Sequence, residues 1–177
     1  MFKVKLQTDG LAAIELDKVS RAAEKMELVF NSDRFKEWCL NYSYETVTSK
    51  GSLWWKTYSY NHMPCFDNSN GLTNFQVYTK LMSGVESLDP STDKTANIFL
   101  NVDRSNKRGV IGYTYPTTKW QTVYGWVLKQ YSVDFISGNL AHEWCHKAGW
   151  SHSYYNTPTR QYSIPYAVGA YVSNFKL

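Results

Sequence analysis

His142, Glu143, His146, Gly149 and His152 fall within eleven residues that read His-Glu-Trp-Cys-His-Lys-Ala-Gly-Trp-Ser-His. On a helix over 132–147, His142 and His146 stand four residues apart on one face, so two imidazoles can grip one metal ion. Glu143 sits beside them. Gly149, three residues after His146, is the expected helix stop, because glycine accepts the left-handed conformation that ends a helix. The chain can then turn back and bring His152 to the same ion from outside the helix. Three protein ligands around a tetrahedral Zn²⁺ leave a fourth position for water, whose pKa falls to about 7. Glu143 is placed to hold that water. The competing reading is an ordinary helix with solvated or hydrogen-bonded histidines; against it, three of the chain's four histidines share this one window.

The elements that must carry this window can be read along the chain. Residues 1–7 alternate Phe2, Val4 and Leu6 against Lys3 and Lys5, the period-two pattern of a half-buried strand. Over 11–30, Leu11, Ile14, Val19, Ala22, Ala23, Met26, Val29 and Phe30 recur at three- and four-residue steps, which predicts a long amphipathic helix with Asp9 as its cap. A helical stretch is expected over 33–42, with Phe35, Trp38 and Cys39 on one side. Residues 46–60 predict strands joined by a turn around Lys50-Gly51, and 61–71 is loop chemistry. A helix over 73–82 should end near Gly84, followed by a loop at Asp89-Pro90-Ser91-Thr92 and a strong strand over 96–102. Residues 122–129 read as a further strand leading directly into the metal-bearing helix.

At 177 residues the chain suits one domain, 1–177, with a core of its own. No run approaches the roughly 18 apolar residues of a membrane span, so no membrane role is expected. The net charge of +4 is spread without a block of like charge, and nucleic acid is not indicated. Charge near the first residues, with no apolar stretch of signal-peptide length behind it, points to a cytoplasmic location unless a leader was removed or export takes another route. Cys39, Cys65 and Cys145 are odd in number and irregular in spacing, which fits a reducing compartment and no disulfide framework. Cys145 points away from the metal face and reads as core. The aromatic excess suits a core or a cleft lining more often than a ligand-stacking surface.

The five specified residues match H-E-x-x-H-x-x-G-x-x-H position for position, and on them the chain resembles the metzincin clan of zinc endopeptidases. The likeness is close over 142–152 and looser over 96–171. It implies an α+β, zincin-type single domain: a twisted mixed sheet, a long N-terminal helix and the zinc helix packed behind it, and a small, irregular C-terminal part. It also implies Zn²⁺ on His142, His146 and His152, with Glu143 as general base. By the same resemblance 110–116 looks like the approach to a sheet edge that pairs with extended substrate, where Pro116 suits a position that need not donate to a ladder. An ordinary turn there is the equal alternative. The cleft would run between this edge and 163–171.

The sequence departs from the family after the third histidine. Metzincins carry a turn, typically Ser-Ile-Met-x-Tyr, whose methionine floors the metal site; here the nearest match is Ser163-Ile164-Pro165-Tyr166-Ala167, with Pro165 in the methionine's place. An apolar proline can still form a floor. The family's transition-state tyrosine would fall at Ala167, so Tyr166, one residue early, is the candidate oxyanion donor, with Tyr154 and Tyr155 as rivals. Met63-Pro64-Cys65-Phe66-Asp67 faintly resembles the family's inhibitory cysteine switch but lacks its arginine and glycine, so Cys65 reads as a loop cysteine. His62 reads as a surface or core residue. The function implied is a zinc-dependent endopeptidase acting on a peptide or protein substrate, expected as a monomer. From another class comes a zinc-stabilised binding or structural protein of weak or no activity, favoured by the missing methionine and by the lack of a recognisable signal or propeptide.

Overall fold

The computed structural model describes residues 1–52, 55–105, 107–115 and 117–176, with side chains outside 48–57. Strand β1 (Lys3–Asp9) follows the alternation, exposing Lys3, Lys5, Gln7 and Asp9 and half-burying Val4, Leu6 and Thr8. Helix α1 (Ala13–Phe30) buries Val19, Ala22, Ala23, Met26, Val29 and Phe30. Asp9 does not cap it, because it belongs to β1; Ala12 is the cap residue, and the Glu15 carboxylate accepts its backbone N–H at 3.0 Å. Ile14, expected on the buried stripe, is 79% exposed. Glu15, four residues before Val19, takes the inward place instead and accepts two 2.6 Å bonds from Arg104. Those bonds hold its carboxyl down at about 2 and tie the start of α1 to the end of the third strand along the chain from it.

Helix α2 (Asp33–Leu40) starts on Ser32, whose hydroxyl accepts the Phe35 N–H at 3.1 Å, and it buries Phe35 and Cys39. Strands β2 (Tyr44–Ser52) and β3 (Trp55–Met63) form a separate antiparallel ladder. Pairing continues through Lys50 and Gly51, where the sequence predicts the turn, so the link falls on 53–54, outside the described residues. Helix α3 (Asn74–Ser83) has a full capping box: Thr73 accepts the Gln76 N–H at 3.3 Å and Gln76 accepts the Thr73 N–H at 2.9 Å. Gly84, at φ 78°, ends it.

The main sheet joins β1 to β4 (Thr95–Asp103), β5 (Gly112–Thr114) and β6 (Trp120–Tyr124) in the order β1-β4-β6-β5. β1, β4 and β6 run parallel, and β5 lies antiparallel at the edge. The expected edge segment is therefore an edge strand; Pro116 lies outside the described residues. The strand predicted over 122–129 ends at Tyr124, and helix α4 (Gly125–Gln130) follows. Tyr124, Val127 and Leu128 are buried at a helical i, i+3, i+4 spacing, which a short apolar run does not distinguish from a strand.

Helix α5 (Val133–Lys147) packs against α1 and the sheet, and helix α6 (Ile164–Asn174) packs along α5. The C-terminal part is irregular up to the 3₁₀ turn over 160–162 and ends in a helix that was not expected. Ser163 holds the N-cap position of α6 without a side-chain capping bond, its hydroxyl donating to the Arg160 carbonyl instead, and Pro165 sits in the first turn, where its missing N–H costs nothing. The molecule is an α+β domain with six α-helices and a mixed sheet among the described residues. No described helix is long and apolar enough to cross a membrane.

Candidate metal centre

Two faces of α5 divide the labour of holding the site. Ile136, Leu140, Ala141, Trp144 and Cys145 are buried in the core, while His142 and His146 are half-buried on another side. Trp144 meets Phe2 and Phe30 edge-on, with ring centroids 5.6 and 5.7 Å away, so β1, α1 and α5 share one aromatic cluster. Edge-to-face pairs of this kind contribute about 0.5–1.5 kcal/mol each beyond area burial. Cys145 is core, as its helical position predicts.

The helix ends as the placement of Gly149 demands. At φ 92° this glycine lets its own N–H reach the His146 carbonyl at 3.0 Å and the Trp150 N–H reach the Cys145 carbonyl at 3.1 Å, the paired bonds of a Schellman ending. The turn folds Trp150 inward, and its carbonyl meets His146 Nδ1 at 2.8 Å. Nδ1 is thereby occupied and Nε2 is left to face the cluster. The Ser153 carbonyl does the same for His152, lying 3.0 Å from its Nδ1.

The three rings converge. Their centroids are 5.0 Å apart for His142 and His146, 5.2 Å for His142 and His152, and 4.9 Å for His146 and His152. One ligand nitrogen from each lies within 4.8 Å of the others. The Nε2 atoms of His142 and His152 are 3.3 Å apart. Two nitrogens each 2.0–2.1 Å from one tetrahedral zinc would be about 3.3–3.4 Å apart, so the His142–His152 pair fits such an ion and His146 lies within reach of both. Burial pushes the His142 imidazole down to about 3, and the neighbouring His146 and His152 rings add to the shift, against a hydrogen bond to the Pro165 backbone. Burial likewise lowers His146 and His152. All three are held neutral, the form that ligates a metal.

Glu143 is 6% exposed, and burial pushes its carboxyl up to about 8. A bound dication beside it would favour the carboxylate again. Tyr166 packs against the cluster, its ring centroid 4.6 Å from both His142 and His152. Burial pushes its phenol up, the Arg160 guanidinium pulls it down and the Glu143 carboxylate pushes it up. Ala167, the position matching the family's tyrosine, is in the core, and Pro165 is buried. Tyr154 and Tyr155 are 90% and 77% exposed and meet each other rather than the histidines. Cys65 is half-buried and donates its thiol hydrogen to the Leu72 carbonyl, and His62 is exposed on β3, opposite Glu45.

Two groups that support the centre have no motif in the sequence. Lys147 and Glu86 form an ion pair at 2.9 Å with both side chains 3% exposed. Glu86 also accepts the Trp144 indole N–H at 2.9 Å and the Asn97 N–H at 2.7 Å, and Lys147 donates to the Asn97 carbonyl, so the end of α5 is fastened to β4. Arg160, in the 3₁₀ turn Arg160–Tyr162, lies with its guanidinium 4.8 Å from the Tyr166 ring centroid. The Lys147–Glu86 pair joins distant segments, and Arg160 meets Tyr166 across the step from the 3₁₀ turn into α6; no motif spacing announces either. No family model, curated protein or solved structure matches the chain.

Proposed function

We propose that this protein is a metzincin-like, zinc-dependent endopeptidase. The observation that carries the reading is the convergence of the His142, His146 and His152 rings, with Glu143 adjacent to the first of them. Bound by these imidazoles, Zn²⁺ would supply Lewis-acid chemistry, lowering the pKa of a water molecule to about 7 and polarising the scissile carbonyl. Glu143 takes the proton from the attacking water and delivers it to the leaving amine. Tyr166, whose ring packs against two of the imidazoles, donates its hydroxyl hydrogen to the oxygen on which charge develops. The edge strand β5 offers its unpaired backbone groups to an extended substrate, which suits cleavage within a chain rather than at its end.

A second reading is a zinc-stabilised binding protein that has lost its activity. It is favoured by Pro165, which stands in α6 where the family pattern asks for methionine. One experiment separates the two: zinc-loaded protein is incubated with a diverse peptide mixture and the products are read by mass spectrometry. Internal cleavages are expected, and Glu143→Ala should keep its zinc while losing nearly all turnover. Zinc retention without any cleavage favours the binding protein, and activity persisting in Glu143→Ala removes that residue from the mechanism.

A further inference from the structure

Arg160 is the charged group beside the centre to which the proposed chemistry gives no task. Its guanidinium lies 4.8 Å from the Tyr166 ring centroid, and that ring lies 4.6 Å from His142 and His152. No carboxylate of a described residue forms an ion pair with it, and its Nε is buried without a hydrogen-bond partner. With Asn156, Thr157, Pro158, Gln161 and Tyr166 it borders a cavity of 230 Å³. The other five residues are neutral, so the one formal charge at this cavity is positive.

We infer that the cavity receives a carboxylate of the bound substrate, paired with Arg160. The planar guanidinium fork suits a carboxylate better than any neutral group, and Tyr166 beneath it holds the fork in place. Packing steps of 4.6 and 4.8 Å link the imidazoles to the guanidinium through the Tyr166 ring, so the two are no farther apart than about three extended residues reach at roughly 3.3 Å each. The carboxylate therefore belongs close to the bond being cut. Its source is an Asp or Glu side chain or the substrate's own C-terminus. This specificity rests on the peptidase reading for the nature of the substrate, but the pairing itself is measurable without turnover.

The test uses zinc-loaded Glu143→Gln protein and fluorescence anisotropy with three labelled peptides of one backbone sequence. The first has a free C-terminus and Gln, the second a C-terminal amide and Glu, and the third a C-terminal amide and Gln. At least one carboxylate peptide is expected to bind about tenfold or more tightly than the neutral one, and which one does so identifies the source. Adding Arg160→Gln should bring the affinities within about twofold of each other at unchanged zinc content, and Arg160→Lys, which keeps the charge but not the fork, should retain part of the preference. Equal binding of all three peptides, or a preference that survives in Arg160→Gln, overturns the inference. If the wild-type protein cleaves nothing while the preference holds, the peptidase reading fails and the carboxylate site stands; cleavage without preference does the reverse.

Discussion

Tyr166 shows how one residue of register decides a side chain's task. The family pattern points to position 167, but α6 begins at Ile164, and the helical path turns Ala167 into the core while Tyr166 faces the imidazoles. The ring has a packing part, and the proposed mechanism adds a chemical one; Tyr166→Phe separates them. Phenylalanine keeps the contact with His142 and His152, so zinc content should be unchanged. The hydroxyl is lost, and removal of one oxyanion donor lowers turnover by about a hundredfold to a thousandfold where the donor is fully engaged. A fall in kcat of at least about tenfold is expected here. An unchanged kcat would leave Tyr166 as a packing residue. Glu86 and Lys147 illustrate the opposite case: no spacing marks them, yet both are nearly inaccessible and together they fix the end of the helix that carries two of the histidines.

At the level of elements, the site depends on how closely α5 and α6 cross. A Cβ built on Gly138 would come within 2.5 Å of the Gly169 carbonyl and 2.7 Å of the Ser173 Cβ, and one on Gly169 within 3.0 Å of the His142 Cβ. These two glycines let the helices touch and set Pro165 and Tyr166 against the histidines. Gly138→Ala should force α6 outward. The overpacking costs about 1–3 kcal/mol, read in chemical denaturation, and zinc affinity should fall with it because the His142 side of the centre moves. Stability and zinc affinity both equal to wild type would mean the crossing is not what sets the site. Neither glycine could be recognised in the sequence, because a helical glycine looks like a weak helix position until its partner helix is known. Locally encoded features were legible: Gly84 at the end of α3 and Gly149 after the histidines each act within a few residues. The boundary between β6 and α4 was not, since Tyr124, Val127 and Leu128 satisfy a short strand or a short helix until their burial is seen. Lys147 was missed because its partner Glu86 comes from a distant segment, and Arg160 because its position over Tyr166 depends on how the 3₁₀ turn enters α6.

Taken as a whole, the molecule builds its cluster from two histidines on α5 and one on the chain beyond it. Trp144, Phe2 and Phe30 anchor the helix from behind, and the Schellman turn brings His152 round in front. An unfolded chain presents no such convergence, so an ion held by all three imidazoles binds the native state and stabilises it. At a free zinc concentration of about 100 times its Kd, the gain is about 2.7 kcal/mol. For a domain of this size each kcal/mol raises Tm by about 2–4 °C, so zinc should shift thermal unfolding upward by about 5–11 °C, and a chelator should reverse it. His152→Ala, which removes the ligand outside the helix, should abolish most of the shift, whereas Glu143→Ala should preserve it because the carboxylate acts on water rather than on the ion. Differential scanning fluorimetry with and without zinc reads all four conditions. If the wild-type protein shows no shift at saturating zinc, the three rings meet for structural reasons alone. Activity assays cannot substitute for this measurement, because a retired peptidase and an active one share the same ligands and differ only in what happens after the metal is in place.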